Sequence, residues 1–526
     1  MKITQNFLSS TLSKYVFALL NITTLCIAII YFTLFQTSSL KTPLTWDEVN
    51  YASAAELGIV SNAFEKGSLN LIQFFNLGYS KLTKKPLNTS NYPPEYNDPF
   101  NLRHFHPPLP VYFWSFFSKQ NKLLRLSNLF LGFIFILLLI IMIYLVQSNR
   151  DILLTIETFP LISVFMISKI FNYSFSSLNF HTFFLISSIL FIGLLIRFLN
   201  KPTQINVIFM GIAGAFLVVT LETWIVIISA SALAVLILRY KNIFSFKLVS
   251  TFFISFLASL LILWPGIIKT GGPIKAWLMY TYRIFDVRKE YSHVLLMKNW
   301  FEIINKNYWL FILFLFALIS TLYLFKRLAM DKTLLIPFII GACYALFITP
   351  FILNNTYILP AIGIIIFGTI IILQRFFSVH RRFYILLTLL MIIVVITTTI
   401  TTNFYKLQNK STMEVSNFNI ALTEIKNIIT LEKGKPLLVD GGFIFRYYLK
   451  TNRNTIEDLD GFDPLHPQFY RRIDYTYENQ LPLIQKKYYG AIIFQTNRHY
   501  SKSQMEQLKQ LGYHEKHIIG YYIFYL

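Results

Sequence analysis

Recurring apolar runs constrain this chain more than any other feature. Helices need about 18 or more such residues, with few charges, to cross the hydrocarbon of a bilayer. About eleven runs are expected to do so, near residues 15–35, 123–147, 152–170, 178–199, 205–221, 223–240, 246–268, 307–327, 333–353, 355–374 and 382–402. The pair at 205–240 is interrupted only by Thr220-Leu221-Glu222-Thr223, so a single long or re-entrant element is the alternative there. Charged residues make up 14% of the chain, against roughly a quarter in soluble proteins. The fold class is therefore a polytopic α-helical membrane protein. The first run is longer than the apolar core of a signal peptide, and no small-residue cleavage site follows it. It reads as a retained anchor.

The net charge is +22, and its placement implies an orientation. With the N-terminus in the cytoplasm, the inner loops collect Lys14, Arg150, Arg197, Lys201, Arg239, Lys241, Lys326, Arg327, Arg375 and Arg381, opposed only by Asp151 and Asp331. This is the positive-inside bias. It places residues 36–122, residues 269–306 and the tail from Thr401 outside. Anionic headgroups and orientation account for the basic balance, so membrane lipids are the expected partners and nucleic acid is not. Cys26 and Cys343 both lie in apolar runs, which leaves the outer regions without a disulfide. An integral protein of a bacterial plasma (inner) membrane is expected.

The chain divides into a transmembrane part, 1–402, and a small extracytoplasmic α/β domain, 403–526. In the first outer loop, Thr45 and Glu48 match the capping box of a helix N-terminus. A helix from about Asp47 to Phe64 is expected to follow, with Ala52, Ala55, Ile59 and Ala63 on one face, lying in the membrane interface. Lys81 to Phe100 is rich in Pro, Asn and Lys and reads as irregular. Next comes Arg103-His104-Phe105-His106-Pro107-Pro108-Leu109. The second outer loop interleaves Lys275, Trp277, Tyr282, Arg283, Arg288 and Tyr291. Cations among aromatics at a membrane surface suit a lipid phosphate headgroup. In the tail, helices are expected at Ile420–Leu431 and Lys502–Leu511, and strands at Pro436–Val439, Gly490–Phe494 and Ile518–Tyr525. Asp440-Gly441-Gly442 is a turn and lacks the dinucleotide fingerprint.

Two segments resemble the GT-C integral-membrane glycosyltransferases. One is Asp47-Glu48 after the first span. The other is His106-Pro107-Pro108-Leu109-Pro110-Val111-Tyr112-Phe113-Trp114 before the second. The branch resembled is that of the aminoarabinose transferases and protein O-mannosyltransferases. Arg125-Leu126-Ser127-Asn128-Leu129 and Tyr357-Ile358-Leu359-Pro360 add to the likeness, which covers roughly residues 10–400. The relatives favour Lys where this chain has His106, and an acid where it has Phe105. Metal binding through that acid is therefore not carried over.

The resemblance implies a polyprenyl-phosphate-sugar donor, a lipid, glycan or protein acceptor, and transfer with inversion at the outer face. The expected catalytic carboxylates are Asp47 and Glu48. Asp47 would otherwise serve the helix dipole, which acids in a first turn stabilise by about 0.3–1 kcal/mol. Glu48 already fills the capping box, and it also reads as a supporting group. The expected substrate-binding residues are Arg103, His104, His106, Lys275, Tyr282, Arg283, Arg288 and Tyr357. The cations would hold phosphate, Arg doing so bidentately. Their bland counterpart is interfacial surface charge. The spacing of His104 and His106 also permits a divalent metal, with no clear third ligand, so no cofactor is assigned. Glu222 reads as a turn residue facing an outer cavity. Two other classes compete: a transporter or flippase for a lipid-linked saccharide, and an envelope assembly scaffold. A transporter would favour paired intramembrane charges, broken helices and internal repeats, which are scarce in this sequence.

Overall fold

The computed structural model describes residues 11–44, 47–66, 69–83, 85–88, 90–92, 106–147, 151–238, 245–278, 293–327, 332–349, 355–431, 434–451, 454–459, 477–496 and 502–526. Among these, six helices are long and apolar enough to cross a membrane: Lys14–Ser38, Asn121–Val146, Phe180–Asn200, Phe246–Leu263, Thr356–Phe376 and Phe383–Thr401. They make the chain an integral membrane protein. Two helix pairs are apolar enough together but bend at a short break. Ile152–Met166 with Lys169–Phe175 bends by 72°, and Trp300–Lys306 with Tyr308–Tyr323 by 92°. Three apolar helices are shorter: Gln204–Val218, Trp224–Ile237 and Lys332–Ile348. Each expected run is thus helical over most of its length. Six to eight of them, rather than eleven, have the length of a span.

The breaks are built from polar side chains. A helix end leaves backbone groups unpaired, and in hydrocarbon no water can satisfy them. At the first break Ser168 Oγ accepts from the Phe171 amide at 3.3 Å. The Asn172 side chain donates to the Met166 and Ser168 carbonyls at 2.6 and 2.9 Å. At the second break Asn307 Nδ2 donates to Ile303 O at 2.9 Å, while its Oδ1 accepts the Ile170 amide at 3.1 Å. Asn307 therefore fastens one broken helix to the other. Asn21 to Tyr384 (2.6 Å) and Gln374 to Leu154 O (2.7 Å) tie further helices together. Elsewhere backbones approach closely through small residues. A Cβ on Gly211 would lie 2.8 Å from Phe252 O in the neighbouring helix.

The first outer loop departs from the expected single helix. It forms Asp47–Glu56 and Gly58–Ala63, broken at Leu57, with Gly58 at φ 80° opening the second. The Asn62 side chain seals the break by donating to the Ala54 and Gly58 carbonyls, both at 2.8 Å. Ala52, Ala55 and Ala63 are buried, but Ile59 of the same expected face is exposed, with Leu57, Val60 and Phe64, which suits an interface.

The tail carries a mixed five-stranded sheet: β1 Leu437–Asp440, β2 Ile456–Leu459, β3 Ala491–Gln495, β4 His514–Ile518 and β5 Tyr521–Tyr525, in the order β2-β1-β3-β5-β4. β1 runs parallel to β2 and β3, while β5 is antiparallel to β3 and β4. Alternating side chains fill two cores. Leu437, Val439 and Ile493 pack under helix Phe404–Leu431, and Leu438, Ile492 and Phe494 meet Ile484 and Leu508 on the other face. The single strand expected at Ile518–Tyr525 is part of a hairpin turning at Gly520, φ 86°, and β2 was not expected.

Candidate active site

Three constructions meet at the outer-loop end of the bundle. The first fixes the start of helix Asp47–Glu56. Arg125 Nη1 and Nη2 hold Glu48 through both carboxylate oxygens at 2.9 and 2.8 Å. The same guanidinium donates to the carbonyls of Thr42 (3.0 Å), Pro43 (2.9 Å) and Ser176 (2.7 Å), so its five N–H groups meet five acceptors. Glu48 also accepts the Leu178 amide at 3.0 Å. Both partners are buried. Glu48, expected as a catalytic carboxylate, is here a clamp whose oxygens are occupied by the protein. Asp47 precedes it on the helix and is half-buried. Thr45, the expected cap, lies outside the described residues.

The second construction holds His106. Its Nδ1 is 3.1 Å from Glu222 Oε2, and Glu222 is 4% exposed. The imidazole packs against Phe180 at 4.6 Å and edge-on to Tyr51 at 6.1 Å. Tyr51 stands one turn beyond Asp47 on the same helix. Pro107 and Pro108 stiffen the chain after His106. The Leu109 amide then donates to Val219 O at 2.9 Å, binding the start of helix Leu109–Ser115 to the turn that carries Glu222. That turn joins the short helices Gln204–Val218 and Trp224–Ile237, so 205–240 forms two helices.

The third is a small recess lined by Asn62, Glu65, His106, Pro108, Val111, Phe180 and Trp264. Glu65 is a buried acid with a left-handed backbone, φ 47°, which is uncommon outside glycine. It accepts the Thr270 hydroxyl, and the Lys275 ammonium lies 3.8 Å away. Lys275 Nζ also donates to Leu69 O at 3.0 Å. Burial pushes the Lys275 ammonium pKa down, and Glu65 opposes that shift. Lys275, expected at lipid phosphate, is turned inward and joins the two outer loops. Gly266 supports the same junction, its amide donating to Ala63 O at 2.9 Å.

Tyr357 is partly buried, with its ring 4.5 Å from His181, the residue after Phe180. Arg103, His104, Tyr282, Arg283 and Arg288 lie outside the described residues. Among the described residues no group of three or more His, Cys, Asp and Glu is gathered as a metal site. The sequence reading missed Glu65, Asn62 and Trp264. An isolated acid and a lone tryptophan carry no spacing signal, and these residues meet only through tertiary contact. Glu222 was noticed, but its partner was not.

No protein-family model matches the sequence, and no curated protein matches it. Among solved structures the chain is similar to ArnT, the aminoarabinose transferase, of Cupriavidus metallidurans bound to undecaprenyl phosphate. The TM-score is 0.57 at 9% identity, over 95% of this chain and 97% of that one. The apo state of the same enzyme gives 0.53 at 10% identity, over 98% of each. At such identities the likeness is one of fold.

Proposed function

We propose that this chain is a GT-C-type glycosyltransferase. It moves a hexose or pentose from a polyprenyl-phosphate donor to a hydroxyl of a lipid, glycan or protein acceptor. The observation that carries the reading is the placement of Asp47: a half-buried carboxylate at the head of a helix locked by Arg125, one turn from the Tyr51–His106 contact. The shared fold adds a relative whose structure holds undecaprenyl phosphate. In this scheme Asp47 orients the acceptor hydroxyl toward the anomeric carbon, and lipid phosphate leaves from the opposite face. Arg103, His104, Tyr282, Arg283, Arg288 and Tyr357 remain the proposed donor contacts. The positive-inside bias puts the site and the tail outside and the N-terminus in the cytoplasm.

Depth supports a lipid-borne substrate. Helices of 15 and 14 residues span about 22 and 21 Å, short of a hydrocarbon core of about 30 Å. The Glu222 turn between them would then sit below the outer surface, level with the first isoprene units of a polyprenyl phosphate.

The test is Asp47→Asn in proteoliposomes supplied with radiolabelled undecaprenyl-phosphate hexoses and pentoses. Release of undecaprenyl phosphate should fall about 10²–10⁴-fold. Membrane levels should stay normal, because the Arg125 clamp is intact. Near wild-type release by the Asn variant would reduce Asp47 to a helix-dipole residue.

A further inference from the structure

The sequence reading gave His106 a phosphate or sugar to contact and left Glu222 at a turn. The pair they form points elsewhere. We propose that His106 is the proton acceptor of the transfer and Glu222 its positioning residue. This rests on the glycosyl-transfer reading above and assigns its proton path.

An ionised carboxylate only accepts hydrogen bonds, so the 3.1 Å contact with Glu222 puts the hydrogen on His106 Nδ1. In the neutral ring the lone pair then lies on Nε2. That nitrogen is buried and has no hydrogen-bond partner among the described residues. The ring borders the recess and cannot turn away, because Phe180 and Tyr51 pack on it and the Leu109–Val219 hydrogen bond fixes the chain just beyond it. A buried carboxylate, an imidazole fixed in one tautomer and a second ring nitrogen left buried without a partner form the arrangement by which a histidine takes a proton from a hydroxyl.

The step balances without a co-reactant. The acceptor hydroxyl gives its proton to Nε2, and its oxygen bonds to the anomeric carbon. The bond from that carbon to phosphate oxygen breaks, and its electron pair leaves on the lipid phosphate. The imidazolium, steadied by Glu222, returns the proton to water. Glu65 also lines the recess, with the Lys275 ammonium 3.8 Å behind it. Asp47 orients the hydroxyl, and His106 receives its proton.

The experiment uses the full chain in proteoliposomes with the same undecaprenyl-phosphate sugars. His106→Ala should lower kcat about 10²–10⁴-fold with KM unchanged, and added imidazole should restore part of the loss. Rescue in the same sample separates lost chemistry from lost fold. Glu222→Gln should also lower kcat at unchanged KM, because a neutral amide no longer selects the tautomer. Imidazole should not help that variant. Wild-type kcat in His106→Ala, or in His106→Gln if the alanine variant fails to insert, overturns the proton assignment alone. So does a folded His106→Ala whose loss imidazole does not relieve. No release by the wild-type chain from any sugar tested overturns this assignment together with the functional reading.

Discussion

At the residue scale, Arg125 ties together three separate parts of the chain through five hydrogen bonds. It joins the end of the first span, the head of helix Asp47–Glu56 and the segment before Phe180. Breaking a buried ion pair from one side leaves an uncompensated charge, at a cost of about 3–5 kcal/mol. Arg125→Met should therefore sharply lower the melting temperature in detergent. Adding Glu48→Gln should recover part of the loss, because the stranded charge is removed. A melting temperature for Arg125→Met close to the wild type would mean that the clamp contributes little. Arg125 and Glu48 were both visible in the sequence, but they are 77 residues apart. Nothing in either local pattern pairs them, so the sequence left Glu48 between a catalytic and a supporting role.

At the element scale, the broken helices set the architecture. Periodicity marked 152–170 and 307–327 as apolar runs, yet it could not distinguish a straight span from one folded on itself. The bend depends on partners for the exposed backbone groups, and Asn307 supplies one from another helix. Asn307→Ala orphans the buried Ile170 amide, for which about 1–3 kcal/mol is the usual cost. Hydrogen exchange at that amide should accelerate, whereas Asn307→Asp, which keeps the acceptor, should protect it better. Equal protection in all three proteins would remove Asn307 from the account of the bends. The short helices at 205–240 follow the same logic. Glu222 was legible as an interruption, but its burial against His106 required the Pro107-Pro108 segment to arrive from another part of the chain.

At the scale of the whole molecule, the tail is docked through helix Gly442–Leu449 and its cap onto the loop that carries Asp47. Tyr448 Oη receives the Leu44 amide at 2.5 Å, Tyr447 Oη donates to Asn121 Oδ1 at 3.1 Å, and Lys450 Nζ reaches Glu56 at 3.0 Å. The Tyr448 hydroxyl pKa is pushed up to about 12, chiefly by burial. The sign follows directly. The docked state holds its proton more tightly than free chain, whose tyrosines titrate near 10. The docking contribution is therefore fully present below about pH 10 and lost as pH rises toward 12. Tyrosinate absorbance and protease sensitivity of helix Gly442–Leu449 should rise together across that window. Tyr448→Phe, which cannot ionise there, should shift the protease transition upward. An unchanged transition in Tyr448→Phe would place the alkaline weakness elsewhere.

The sequence by itself determined the class of molecule. Uninterrupted apolar length, a low charge fraction and lopsided basic loops admit only a membrane-embedded helical chain, because hydrocarbon forbids an unpaired backbone. In the tail it marked helices at 420–431 and 502–511 and the strands β1 and β3, since period and turn residues are local signals. The acidic head of the first outer helix and the proline segment after His106 were legible as motifs. Tertiary structure alone decided what each buried acid pairs with. Glu48 is taken by Arg125, Glu65 by Thr270 and Lys275, and Glu222 by His106. In a low-dielectric interior each buried charge must find a partner, and those partners come from distant parts of the chain. Whether a carboxylate clamps, orients or reacts is therefore set by the packing of the bundle, which no local pattern records.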